Sequence, residues 1–211
     1  DRGVGGFPED AIFIASRAQN LEMENGEQIK DQFSRQSVIN NQLINNTPYP
    51  KPHILYDDNY TVDLGDLTVQ LISVGPLHTK GDSIIFIKEE SVLFAGDVMM
   101  GGIIPSIDPV HASFDKWETA IEKIEELSPK LVIGSHGDVG EQALIQKWKS
   151  LISTISFAIS EYRSAGYSES TATRQLTLLL EKEFPGWRND RRRMRAGVTS
   201  EYRIVAPSDD N

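Results

Sequence analysis

Three loops in the sequence present a histidine or an aspartate directly after an apolar run of β-strand type. The segments are LISVGPLHT with His78, SVLFAGD with Asp97 and LVIGSHGD with His136. A side chain at the end of a buried strand is held rigidly, and flanking glycines leave room for an ion and its substrate. Imidazole and carboxylate groups together suit zinc, manganese or iron(II), whereas calcium prefers oxygen ligands alone. The pattern therefore predicts a metal site with nitrogen and oxygen ligands.

Asp1 is a fourth candidate ligand, because it heads the glycine-rich segment DRGVGG before the apolar run AIFIAS. Each signal is weak when taken singly, since an aspartate after Ala-Gly is more often a turn residue or a helix cap. Their order and context together carry the prediction, and two histidines with two aspartates suffice for one or two ions. The chain has no cysteine, which excludes thiolate ligands and a thiol nucleophile.

Two further histidines are predicted to be structural or to lie at a pocket rim. His53 follows YPKP at the start of a strand, and His111 lies in the segment IDPVHAS. The segment 101–113, between Asp97 and the next helix, is either a substrate loop or an ordinary connection. The sequence favours neither interpretation.

Alternating strands and helices must position these loops. Ser113 is a candidate N-cap for a helix whose Phe114, Trp117 and Ile121 recur at helical spacing. Strands that alternate with helices and end in a helical tail indicate an α/β protein with helices covering the sheets. Strands are predicted at 11–16, 53–64, 67–74, 83–97 and 130–136, and helices at 21–43, 113–127, 141–165 and 169–184. The run at 83–97 is predicted to bend at Glu89-Glu90 like a hairpin.

Composition narrows the classes of partner. The chain has 211 residues, 39% of them hydrophobic, and a formal net charge of −10. This charge argues against nucleic acid and anionic membrane surfaces as partners and favours a small-molecule substrate, while a homo-oligomer stays open. No run is long and apolar enough for a transmembrane helix, so a soluble protein of the cytoplasm or periplasm is expected. The segment 186–195, around Arg191, reverses the charge locally; it is either a solvated face or a surface for an anion or a second subunit.

One long segment carries a family resemblance. VGPLHTKGDSIIFIKEESVLFAGD resembles the signature of the metallo-β-lactamase superfamily, in which Gly-Pro-x-His-Thr-x-Gly-Asp leads through a hairpin to Gly-Asp. LVIGSHGD is similar to the later strand of that family, which ends in Gly-His-Gly. Asp97 follows His78 by 19 residues and His136 follows Asp97 by 39, spacings that fit the family. DRGVGGFPEDAIFIAS is similar to the tail of the His-x-His-x-Asp-His motif, so that the histidine pair is expected before Asp1.

The resemblance implies an α/β fold of the αββα sandwich type, with the N-terminal part missing from the sequence. Residues 1–150 would form the C-terminal portion of that domain, and residues 151–211 a helical extension packed on it. His78 would complete a first metal site, Asp97 would bridge two ions, and Asp1 and His136 would hold the second. Arg2 stands where many members have a ligating histidine, and arginine cannot ligate because it stays protonated.

The implied function is a metal-dependent hydrolase. A zinc-bound hydroxide would attack the carbonyl of an ester, thioester, lactone or β-lactam amide, and Asp1 or Asp97 would act catalytically by moving a proton. The expected cofactor is zinc, as two ions if the histidine pair is present, with iron or manganese as the alternative. Two other functions stay open: a binding or structural module with impaired metal binding, and an iron-dependent oxidoreductase on the same fold.

Overall fold

The N-terminal part of the chain forms a small unit of strands and helices. The computed structural model describes residues 6–8, 10–24, 37–46, 51–189 and 191–204, and the chain divides into two compact units at Asn59 and Tyr60. In the first unit, strand β1 (Ile14–Ser16) is followed by helices α1 (Arg17–Glu24) and α2 (Val38–Asn46) and by strand β2 (Ile54–Tyr56). β1 and β2 pair in parallel.

The single helix predicted over 21–43 is wrong, because α1 begins earlier and Ser37 lies outside any helix. The cause is local. The Ser16 hydroxyl accepts a hydrogen bond from the Gln19 N–H at 3.1 Å and so caps the helix where the strand ends. The strand predicted at 11–16 is confirmed over Ile14–Ser16.

The second unit is built on a five-stranded sheet with the strand order β3-β4-β5-β6-β7. The pairs β4/β5 and β5/β6 are antiparallel, whereas β6/β7 is parallel. The strand predicted over 53–64 is two strands in different sheets, β2 and β3, whereas the hairpin bent at Glu89-Glu90 is confirmed. The strands are β3 (Asn59–Asp63), β4 (Thr68–Ser73), β5 (Ser83–Ile87), β6 (Val92–Gly96) and β7 (Leu131–Gly134).

Four helices follow, and three of them were predicted within two residues of their bounds. Ser113 caps the first as expected, since its hydroxyl accepts from the Lys116 N–H at 3.3 Å. Residue 150 lies inside one continuous helix, so the extension predicted to start at 151 shares that helix with the residues before it. The fourth helix begins within the arginine-rich segment, where no element was predicted. The helices are α3 (Phe114–Leu127), α4 (Gln142–Ser164), α5 (Glu169–Glu183) and α6 (Arg191–Ile204).

A pair of buried indoles ties the helices to the sheet. Trp117 and Trp148 are fully buried and stack with ring centroids 6.0 Å apart. Their N–H groups donate to the carbonyls of Val98 and Met100, at 3.0 and 2.8 Å. Val98 and Met100 follow Asp97 closely in the chain, so these two hydrogen bonds fix the backbone just after Asp97.

The described helices include none with the length and apolar character needed to cross a membrane.

Candidate metal centre

The three predicted loops emerge at one edge of the five-stranded sheet. Asp97 follows β6 directly and His136 follows β7 by two residues, and these strands are parallel, so both side chains leave at the same end. His78 lies between the end of β4 and the start of β5, where Ser73 pairs with Ser83. Because β5 runs antiparallel to β6, its start lies at the edge where β6 ends. Sheet topology alone therefore gathers the three loops.

Two imidazoles face one carboxylate at this edge. The His78 Nε2 lies 4.0 Å from the Asp97 Oδ2, and the His136 Nε2 lies 4.0 Å from the Asp97 Oδ1. Side-chain exposures of 30%, 35% and 65% for His78, Asp97 and His136 show that all three remain accessible. We call these three residues the strand-end site. Asp1, the fourth predicted ligand, lies outside the described residues.

The donor types of the strand-end site fit a nitrogen–oxygen metal site. Two donors on one tetrahedral zinc ion, each about 2.1 Å from the metal, lie about 3.4 Å apart. The separations of 4.0 Å are wider. Within the described ranges, no three His, Asp or Glu side chains form a group that could hold an ion as they stand. The chemistry of the donors therefore fits a metal, whereas their spacing is wider than that of ligands on one ion.

The ring nitrogen of His78 that does not face Asp97 makes a hydrogen bond to the backbone. Its Nδ1 lies 2.6 Å from the Ser106 carbonyl oxygen, which can only accept, so the proton must reside on Nδ1. The neutral ring then carries its lone pair on Nε2, the atom that faces Asp97. A backbone carbonyl that fixes the tautomer in this way is a common support for a metal-binding histidine.

Asp82 organises the loop that carries His78. Its carboxylate accepts from the Thr79 hydroxyl at 2.7 Å, the Thr79 N–H at 2.9 Å and the Leu77 N–H at 3.2 Å. These bonds close the turn on both sides of His78, and fully buried Leu77 anchors it in the core. No role was predicted for Asp82, although the Gly81-Asp82 pair after a loop histidine was a visible signal.

Ser135 is a second supporting residue for which no role was predicted. Its hydroxyl donates to the Asp97 Oδ1 at 2.8 Å, the same oxygen that faces His136. Its N–H donates to the Gly96 carbonyl at 2.9 Å, which ties the ends of β6 and β7 together. Ser135 therefore orients the carboxylate and joins the two strand ends.

Glycines allow the segments after β6 and β7 to pack backbone against backbone. Gly137 has a φ of +82°, and a Cβ there would collide with the Gly101 carbonyl oxygen. A Cβ at Gly101 would in turn collide with the backbone of Asp138. The Gly101 N–H donates to the His136 carbonyl at 3.3 Å, so this contact positions the loop that carries His136.

The two remaining histidines make other hydrogen bonds. In the first unit, the His53 Nδ1 accepts from the Phe13 N–H at 2.9 Å, which agrees with a structural role. The His111 Nδ1 lies 2.9 Å from the Asp108 Oδ2. The Asp108 N–H donates to the Leu77 carbonyl at 2.8 Å. Segment 101–113 thus contacts the His78 loop, whichever of its two predicted roles it has.

The mixed α/β fold thus gathers imidazole and carboxylate groups, the donor types of nitrogen–oxygen metal sites, at one edge of its sheet. The family model of the metallo-β-lactamase superfamily matches residues 3–136, and the chain belongs to this superfamily. Its α/β fold of the metallo-β-lactamase type, with C-terminal helices, agrees with the prediction.

Known relatives agree with this assignment. The type 2 metallo-β-lactamase of Bacteroides fragilis is 26% identical over 106 residues, which cover 49% of this chain and 43% of the relative. The chain therefore spans less than half the length of this curated relative. A metallo-β-lactamase family protein from Thermus thermophilus superposes with a TM-score of 0.62 at 12% identity, over 92% of this chain and 67% of that one. A sec-alkylsulfatase from a Pseudomonas species superposes with a TM-score of 0.57 at 13% identity, over 75% and 28% of the two chains. The two structural matches show the fold alone.

Proposed function

We propose that the protein is a hydrolase whose strand-end site contributes ligands to two metal ions. Superfamily membership supports a metal-dependent hydrolase in general. One observation carries the finer proposal: the His78 and His136 Nε2 atoms face different oxygens of the Asp97 carboxylate, each at 4.0 Å. Two imidazoles that face different oxygens of one carboxylate suit a carboxylate shared between two ions, one on each side.

In this proposal each residue of the strand-end site has a distinct role. His78 would be a ligand of the first ion, Asp97 would be shared by both ions, and His136 with Asp1 would hold the second. Zinc is the proposed metal, because imidazole and carboxylate are its usual ligands where cysteine is absent; iron and manganese accept the same donors.

The chemistry of such a site is carbonyl hydrolysis. A bound ion lowers the pKa of water to about 7 and polarises a substrate carbonyl. The protein's own contribution is to hold the donors: Ser106 fixes the tautomer of His78, and the Ser135 hydroxyl fixes one oxygen of Asp97. Asp97 or Asp1 would also carry a proton to the leaving group. The proposed substrates are small molecules with an ester, thioester, lactone or β-lactam amide group, and the name of the Bacteroides fragilis relative makes β-lactams part of the first screen.

Elemental analysis of the purified full-length protein tests the proposal. We expect about two equivalents of zinc in the wild type and a reduced content in both His78→Ala and Asp97→Ala. His111→Ala is the matched control, because this histidine pairs with Asp108 and should leave the metal content unchanged. A wild type without stoichiometric metal, or variants that retain all of it, would contradict the proposal.

A binding or structural module is the second candidate. It is favoured by one observation: within the described residues no three-ligand group stands ready to hold an ion. Hydrolysis of any carbonyl substrate by the wild type, lost on chelation and restored by added zinc, would exclude this alternative.

A further inference from the structure

A cavity between α5 and α6 collects arginines of the basic segment. Its volume is about 510 Å³, which is within the range of small-molecule sites. We call it the arginine cavity. It is lined by Glu169, Ser170, Thr173, Arg191, Arg192 and Arg195. None of these residues belongs to the strand-end site.

The arginine cavity reverses the charge of the chain. Three guanidinium groups and one carboxylate give its lining a formal charge of +2, in a chain whose net charge is −10. The carboxylate of Glu169 already accepts a hydrogen bond from the Thr199 hydroxyl at 3.0 Å. Among the residues that the structure describes, no carboxylate forms an ion pair with Arg191, Arg192 or Arg195. The described carboxylates therefore form no ion pair with the three cations, and Glu169 offsets only one of their charges.

Helix stability does not account for two of these arginines, Arg191 and Arg192. Helix α6 begins at Arg191 and has no acidic residue in its first turn. A positive charge in the first turn opposes the helix macrodipole and costs a few tenths of a kcal/mol or more per residue. The sequence thus places cations where they destabilise the helix, and an anion in the adjoining cavity would offset this cost.

We infer that the arginine cavity binds the diphosphate or triphosphate group of a small molecule. The planar guanidinium group of an arginine can bind two phosphate oxygens at once. Three such groups around one cavity carry more positive charge than a ligand with a single carboxylate would neutralise. The cavity is also much larger than one phosphate ion, so it has room for linked phosphates and the group that bears them. A nucleic acid polymer fits less well, because the rest of the acidic surface would repel it.

Calorimetric titration of the full-length protein with inorganic pyrophosphate tests this inference. The double variant R192Q/R195Q should weaken binding about a hundredfold, since each charge-assisted contact accounts for about a factor of ten. R174Q is the matched control: it removes an exposed arginine of α5 that does not line the cavity, and binding should be unchanged. Asp97→Ala separates this site from the proposed hydrolase, because it should lose metal and keep pyrophosphate binding.

Parallel titrations with adenosine triphosphate and citrate identify the ligand chemistry. Binding of the nucleotide more tightly than pyrophosphate would support a nucleotide source, and equal binding would support the phosphate chain itself. Citrate binding as tight as that of pyrophosphate would overturn the phosphate assignment. The inference also fails if pyrophosphate does not bind, if R192Q/R195Q binds it normally, or if only Asp97→Ala abolishes binding. The arginines are exposed, so thermal unfolding should show both arginine variants folded; R195Q alone serves if the double variant does not fold.

Discussion

The strand-end site and the arginine cavity gather charged groups in opposite ways. In the first, two imidazoles face one carboxylate. His78 donates to the Ser106 carbonyl and the Ser135 hydroxyl donates to Asp97, and these hydrogen bonds fix the facing atoms. In the second, long guanidinium side chains project from consecutive turns of one helix, and the helix backbone alone sets their spacing. The strand-end site fixes the positions of individual atoms, as metal ligation requires. The arginine cavity concentrates positive charge without fixing atom positions as closely. Substitutions that disturb the backbone should therefore harm the first region far more than the second.

The largest effect is expected from Gly137→Ala. The left-handed φ of +82° and the collision with the Gly101 carbonyl should together cost about 2–4 kcal/mol of unfolding free energy. Gly166→Ala is the matched control in the helical region, since Gly166 has a φ of +75° with no atom near its missing Cβ. Backbone strain alone should cost about 1 kcal/mol there. Urea unfolding measures both, and equal losses would show that the backbone contact at Gly101 contributes nothing.

A smaller effect is expected from Asp82→Ala, which removes the acceptor of three hydrogen bonds around His78. The donors around His78 would then lack an acceptor, which should lower the free energy of unfolding by about 2 kcal/mol. The His78 side chain would also be held less rigidly, so the affinity for zinc should fall. Asp66→Ala removes an exposed aspartate of the β3–β4 turn and should change neither quantity. Urea unfolding and a competitive zinc titration are the measurements. An Asp82→Ala protein with unchanged zinc affinity would mean that Ser106 alone positions His78.

The same contrast explains what the sequence could and could not predict. His78, Asp97 and His136 were predictable because each follows an apolar run, and strand topology then brings such ends together. Their supports were not, because Ser106 and Ser135 act through bonds that depend on tertiary contacts.

The starts of two helices could not be predicted from the apolar pattern of the sequence. The cap at Ser16 sits inside a strand pattern, so α1 was placed too late. Helix α6 was missed because its first turn consists of arginines, which have no apolar period and oppose the dipole. The metal role of the strand-end site and the boundary at 150/151 stay predictions.

The smallest effect concerns the link between the two regions. Helix α6 holds the segment after Asp97 through the Ser200 hydroxyl, which donates to the Ala112 carbonyl, and through Glu201, whose Oε1 accepts from the Phe114 N–H at 2.9 Å. Burial raises the pKa of Glu201, and this outweighs the opposing effect of the Phe114 N–H. A carboxyl whose pKa is higher in the folded state binds its proton more tightly there, so it favours folding at low pH. Stability should fall as the pH rises from about 4.5 through the raised pKa of Glu201.

Two substitutions at this position separate charge from hydrogen bonding. Glu201→Gln keeps an oxygen for the Phe114 N–H and cannot ionise, so its stability relative to the wild type should improve as the pH rises from about 4 to about 7. Glu201→Ala loses the acceptor as well and should be less stable than Glu201→Gln by about 1 kcal/mol at every pH. Urea unfolding across this pH range measures both differences. If the difference in unfolding free energy between the two variants changed with pH, a second titrating group would be interacting with the Phe114 N–H. If the stability of Glu201→Gln changed with pH in the same way as that of the wild type, the ionisation of Glu201 would not be linked to folding. Helix α6 carries both Glu201 and the arginines of the arginine cavity. The difference in stability between the two variants therefore measures how strongly the Glu201–Phe114 hydrogen bond holds this helix on the segment after Asp97.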